Sequence, residues 1–139
     1  MRVMPPDMEM WVTGWLRAQL KADGLDVEVS NKEPAQLQAP LSRPLVVVRD
    51  DSGPRESVVT FSRALGVSVL AGTRQNDKPA NDLARRVMAI LCDPAIIEAA
   101  GSPIASIVGD GCNGPMAVTD ALNVARRYLT VEYVAVGEF

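Results

Sequence analysis

The chain contains no histidine. Its absence removes both the commonest general base at neutral pH and the commonest metal ligand. Serine hydrolysis of the usual Ser–His kind goes with it. Only two cysteines are present, Cys92 and Cys112. Their separation fits none of the paired spacings of zinc sites, and both are expected to be free thiols in a reducing cytoplasm. Long apolar runs are missing as well. No stretch approaches the ~18 residues that a membrane-spanning helix needs. The opening MRVMPPDMEMW is broken by two prolines and two acids, and it lacks the apolar core of a secretion signal. Basic residues are fewer than acidic ones, 14 against 17, for a net charge of −3. Such a balance argues against a broad nucleic-acid-binding surface, which needs clustered cations.

What is present is an ordinary globular composition, 47% apolar and 22% charged over 139 residues. That length fits a single domain covering 1–139, with a core large enough to need no metal or disulfide staple.

Helical periodicity is clearest over 7–22. Asp7 is placed to cap this helix after Pro5-Pro6, and Met8, Trp11, Val12, Trp15, Leu16 and Leu20 share one face. The two tryptophans, at i and i+4, serve either as core packing or as a partner surface. A short strand is expected over 27–29. The stretch NKEPAQLQAPLSR at 31–43 reads as a surface loop. LVVVRDD follows Pro44, and a strand apolar on both faces is usually interior to its sheet. Residues 52–55 read as a turn.

Alternation then runs through ESVVTFSRALGVSVLAG, with Val59, Phe61, Leu65, Val67, Val69 and Ala71 on one side and Arg63 as the lone charge among them. Fifteen straight residues would span roughly 50 Å. The strand is therefore expected either to bend near Arg63 or Gly66, or to begin as a hairpin with 45–51 that projects from the body. A second helix is expected over 77–92, capped by Asn76 or Asp77, with Leu83, Val87, Ile90 and Leu91 facing a sheet and Cys92 a small core residue at its end. A helical turn at 95–99 and strands at 104–108, from Pro115, and at 126–136 complete the chain. On the last strand Leu129, Val131, Tyr133 and Ala135 share one face, and Arg126, Tyr128, Thr130 and Glu132 share the other. The expected fold is α+β: a mostly antiparallel sheet, two main helices on one face and a projecting β-hairpin.

One stretch invites a chemical reading: GDGCNGP at 109–115. A reactive cysteine needs a histidine, a helix N-terminus or nearby cations to favour its thiolate. Here the local charge is Asp110, and no helix follows. A calcium loop needs more oxygen side chains than Asp110 and Asn113 supply. A phosphate loop needs a lysine that is absent. The glycines and the Asn113-Gly114 pair instead mark a bend between strands. Asp50-Asp51 is no carboxylate pair either, because neighbours on a strand point to opposite faces. Nothing converges into a catalytic, cofactor or metal site. The expectation is a non-enzymatic protein that binds other proteins.

Three stretches together resemble the tail terminator family of long-tailed bacteriophages: PLVVVRDDSGPRE at 44–56, GVSVLAGTRQNDKPANDLARRVMAIL at 66–91 and GPMAVTDALNVARRYLTVEYVAVG at 114–137. The matching features are an apolar strand ending in arginine and aspartate, then a strand closing on Leu70-Ala71-Gly72. A helix carrying Ala80, Leu83, Ala84, Arg85 and Val87 follows, and last come Gly114-Pro115, Asp120 and the arginine–aromatic strand at Arg127-Tyr128. The resemblance implies a structural virion protein, assembled in the bacterial cytoplasm and placed in the tail–neck region. It would form a homo-oligomeric ring, typically a hexamer, that stops tail-tube polymerisation. Its partners would be the major tail tube protein and the head–tail connector or stopper, with DNA passing through the lumen without specific binding. Arg49, Arg55, Arg63, Arg126, Arg127 and Tyr128 are the candidate subunit-interface residues. The alternatives are another neck or head-completion protein, or a small ligand-binding domain.

Overall fold

A computed structural model describes all residues, 1–139. Helix α1 (Met8–Ala22) starts where the sequence places it: Asp7 takes an extended conformation and its carboxylate accepts the Met10 N–H at 3.1 Å. Strand β1 (Glu28–Ser30) lies one residue further on than expected. The loop over 31–43 leads into β2 (Leu45–Ser52) and then β3 (Thr60–Ala71). Helix α2 (Lys78–Leu91), the short α3 (Ala95–Glu98) and β4 (Ile104–Ile107) follow. A 3-10 turn over Gly109–Gly111, then β5 (Asn113–Val118) and β6 (Ala125–Val136), end the chain. No helix is long and apolar enough to cross a membrane.

The fold is α+β, with one six-stranded sheet ordered β1-β2-β3-β6-β4, in which β5 also pairs with β6. All its pairings are antiparallel except β1 with β2. One side of β6 is taken by β3. The other is shared, with β4 opposite Tyr133–Ala135 and β5 opposite Arg126–Thr130.

Strands β2 and β3 form a hairpin, but the structure does not show it as a projecting arm. β3 is paired along all twelve residues with β6, from Thr60 opposite Val136 to Ala71 opposite Ala125. A strand of this length is accommodated in a small domain because an equally long one lies beside it and satisfies its backbone groups.

The helices cover one face only. The main core joins Met8, Val12, Leu16 and Leu20 of α1 and Leu83, Val87 and Leu91 of α2 to Leu65, Val67 and Val69 of β3 and Leu129, Val131 and Tyr133 of β6. Trp11 and Trp15 stack at 5.7 Å between ring centres along the edge of this core, where they remain partly exposed.

The opposite face of the sheet is open except at one end. There Leu45, Leu70 and Val124 form a small buried cluster against Leu37, Leu41 and Leu122. The 31–43 segment is thus a flap with an apolar underside, which a reading as a plain surface loop misses. The glycine-rich stretch also differs from expectation. Its first half is the 3-10 turn, but Asn113, Gly114 and Pro115 already belong to β5, where the pairing with β6 shifts register. Gly114 has φ +100°, and a Cβ there would lie 2.8 Å from the Tyr128 carbonyl oxygen, so only glycine fits this irregularity.

Candidate functional site: the open sheet face

Alternation dictates what the open face presents. On β6 the residues facing away from the helices are Arg126, Tyr128, Thr130 and Glu132. On β3, Ala64, Gly66 and Ser68, all small, stand opposite Glu132, Thr130 and Tyr128, and Leu70 stands opposite Arg126. Arg49 stands opposite Gly66 on β2. Gly66 leaves a gap, and three side chains close over it. Arg49 Nε donates to Asp51 Oδ1 at 2.6 Å, and its Nη2 donates to Asp51 Oδ2 at 3.3 Å and to the Tyr128 hydroxyl at 3.1 Å. A Cβ on Gly66 would collide with the Tyr128 hydroxyl and sit 3.0 Å from both Arg49 Nη2 and Asp51 Oδ2. The hydrogen bond and charge of Asp51, with a smaller contribution from Tyr128, hold the Arg49 guanidinium above its ordinary pKa. Arg49 stays 60% exposed, so the cluster is an organised polar surface rather than a buried site.

Of the six arginines and tyrosines singled out from sequence, the structure brings together Arg49 and Tyr128. Arg126 lies on the same face but is engaged at the covered end. Its Nε donates to Asp120 at 2.7 Å and its Nη2 to Glu33 at 2.8 Å. Burial pulls the Arg126 pKa down, and the hydrogen bonds to Asp120 and Glu33 outweigh it, for a net rise. Asp120 mirrors this. Burial pushes its carboxyl up, but the Leu122 N–H and Arg126 pull it below the usual carboxylate range. These bonds staple the 31–43 flap and the 119–124 loop to the sheet.

Arg127 points the other way. It donates to Asp77 at 2.7 Å, which draws that carboxylate from the capping role expected of it. Asp77 holds the N-cap position of α2 but makes no side-chain cap bond. Arg63 is 7% exposed, and its Nη1 donates to the carbonyls of Gly53 at 2.7 Å and Ser62 at 2.8 Å. Arg55 is exposed and donates to the Val58 carbonyl. Both guanidinium carbons lie against the Phe61 ring, at 4.6 Å for Arg55 and 5.0 Å for Arg63.

Several partners went unread in the sequence. Asp51 was legible, since residues i and i+2 of a strand share a face. Glu33 and Asp77 meet their arginines across 93 and 50 residues, and no local pattern announces that.

The cavities add no enclosed site. The largest, about 590 Å³, is an open depression near Arg17, Lys21 and Arg43, with Asp26 and Glu28 on its rim. No family model matches the chain, and no curated protein matches it.

Proposed function

We propose that this protein is a structural ring subunit of the tail terminator kind, which closes the phage tail tube and joins it to the head connector. The supporting observation is the asymmetry of the sheet. One face is sealed by helices, while the other is open and carries the ordered Arg49–Asp51–Tyr128 cluster. The two sheet ends differ as well. β1 at one end and β4 with β5 at the other each pair on a single side. A subunit with unlike ends and unlike faces is suited to head-to-tail contacts, which close into a ring when the rotation closes. The order of sequence features, from the apolar β2 through the α2 helix to the Arg127-Tyr128 strand, supports the same reading.

The test is to add the purified protein to polymerising tail tube protein of the same phage and read tube length by negative-stain microscopy. Short tubes bearing a ring at one end are the expected result. Tubes that elongate unchanged and carry no ring would falsify the reading, and another neck component would then take its place.

A further inference from the structure

Most of the large apolar side chains left exposed are grouped rather than scattered. Met4, Met10, Val58, Val136 and Phe139 gather at the end of the sheet where β6 stops and β3 starts. The backbone fixes this grouping. Met4 and Glu138 exchange two N–H···O bonds at 2.8 Å, Gly137 donates to the Val59 carbonyl at 2.8 Å, and Val136 donates to the Pro103 carbonyl at 2.7 Å. Here lies an open groove of about 420 Å³, walled by Met10, Trp11, Pro103 and Val136. Met10 is 70% exposed. The charged residues lining the groove are Asp7 and Glu138, with no cation among them.

A second, smaller group lies towards the other end of β6. Met116 and Val118 are exposed two residues apart on β5, which pairs on one side only. They stand opposite Tyr128 and Arg126, and so extend the open face. A cavity of about 250 Å³ at the end of β5 is lined by Val118 with Arg74, Arg126 and Arg127. Its two carboxylates are already engaged, Asp120 by Arg126 and Asp77 by Arg127, each at 2.7 Å. Arg74 is the cation left over, and it is exposed. Strand β6 holds Arg126 and Val136 roughly 30 Å apart, so the groove and the β5 edge of one copy cannot meet. Between two copies they are complementary, apolar wall to apolar side chain and spare carboxylate to spare cation.

We propose that the groove at Met10 and Val136 is the docking site for the β5 edge of a second copy. Met116 and Val118 sit on its apolar walls, and Arg74 lies beside Glu138. The inference rests on the ring reading above and gives that ring its contact. Groove and edge are different patches, so each copy receives one neighbour and enters another. Charge sets this direction. Edge against edge would bring Arg74 to Arg74, and groove against groove would bring Glu138 to Glu138, and like charges so placed are disfavoured. The stack of Trp11 on Trp15 gives the groove a stiff wall, to which the unbranched side chains of Met10 and Met116 adapt.

The experiment is sedimentation of the full-length chain over a range of concentrations, with two variants, Met10→Glu in the groove and Met116→Glu on the edge. Both side chains are exposed, and unchanged melting checks that each variant folds. The native chain is expected to gain mass with concentration up to about 1 mM. Each variant alone is expected to stay monomeric. Their equimolar mixture is expected to form a one-to-one dimer and nothing larger, because it holds one intact groove and one intact edge. Arg74→Glu and Glu138→Arg are each expected to weaken association about 3–10-fold, and the variant carrying both to recover it. A native chain that stays monomeric throughout, a variant that associates like the parent, or a mixture that stays monomeric would each overturn the proposal. No tail tube enters this measurement. Self-association without tube capping therefore counts against the ring reading alone, and tube capping by rings of the Met10→Glu variant counts against this contact alone.

Discussion

The Tyr128 hydroxyl lies over Gly66 of the adjacent strand, in the space that a Cβ would occupy. The cross-strand cluster on the open face exists because that position is bare. The atoms a methyl group would displace are the far ends of Tyr128, Arg49 and Asp51, all of which can swing outward. Gly66→Ala is therefore expected to change stability by less than about 1 kcal/mol, the gain in chain stiffness offsetting the lost polar contacts. The same substitution is expected to disperse the cluster. Urea denaturation measures the first effect. Ring formation on tail tubes, counted by microscopy, measures the second and is expected to fall. A variant that destabilises by several kcal/mol would show that the cluster cannot move.

The Arg126 staple gives a dependence on acid. The folded-state pKa of Asp120 is depressed, so its contribution to stability is fully present above its unfolded value of about 3.9. That contribution is lost as pH falls through the lower folded value. The chain is expected to lose stability below about pH 4, and Asp120→Asn to flatten that part of the profile. Arg126→Ala strands Asp120, whose side chain is only 10% exposed, and is expected to cost about 2–3 kcal/mol. It is also expected to free the flap, so that limited proteolysis cuts within 31–43 sooner than in the parent chain.

How much of this was legible in the sequence depends on distance along the chain. Local signals were read correctly: the Asp7 cap, the apolar faces of α1 and α2, and the alternation of β3 and β6. They depend on periodicities of two and 3.6 that any short window reveals. The long alternating stretch suggests either a bend near Arg63 or Gly66 or a projecting hairpin, because a strand of that length has no place in a small domain unless a second strand of equal length lies beside it. The partner strand was visible, but its full-length register was not. The flap failed for a similar reason. Leu37 and Leu41 are isolated apolar residues among polar ones, and only Leu45 and Leu70 on the folded sheet give them something to cover. Of the open-face cluster, Arg49 and Tyr128 are among the candidate subunit-interface residues named from the sequence. Gly66 drew attention only as a bend, because a cross-strand gap has no signature of its own.

Tyr133 provides an alkaline counterpart to Asp120. Its hydroxyl is buried and donates to the Leu91 carbonyl. Burial first, then the neighbouring Cys92 and Cys112, raise its pKa above the ordinary phenol value. A raised folded pKa means that stability is whole below the unfolded value of about 10 and declines as pH rises beyond it. Ultraviolet titration is expected to show that the Tyr133 phenol ionises only with unfolding. Tyr133→Phe is expected to cost about 1–2 kcal/mol at neutral pH, since it leaves the Leu91 carbonyl without this donor, and to remove the alkaline decline. A Tyr133→Phe variant as stable as the parent would show that the carbonyl finds water instead.

Arg55 and Arg63 flank the same ring, yet their contributions are expected to differ sharply. Arg63 is 7% exposed, and it ties Gly53 and Ser62 together through two carbonyls. Its removal breaks two charge-assisted bonds to the Gly53 and Ser62 carbonyls. Arg63→Met is expected to cost about 2–4 kcal/mol. Arg63→Lys is expected to recover only part of that, because an ammonium cannot lie flat against Phe61 as a guanidinium does. Arg55 is exposed, and its bond to the Val58 carbonyl stays within one turn of chain. Arg55→Ala is expected to change stability by less than about 0.5 kcal/mol. Arg55 is thus the cleaner probe of the interface, since any loss of tube capping in that variant, with unchanged melting, reports a contact made between subunits. Capping at parental levels in Arg55→Ala would remove this arginine from the candidate interface and leave the Arg49–Tyr128 cluster to carry it.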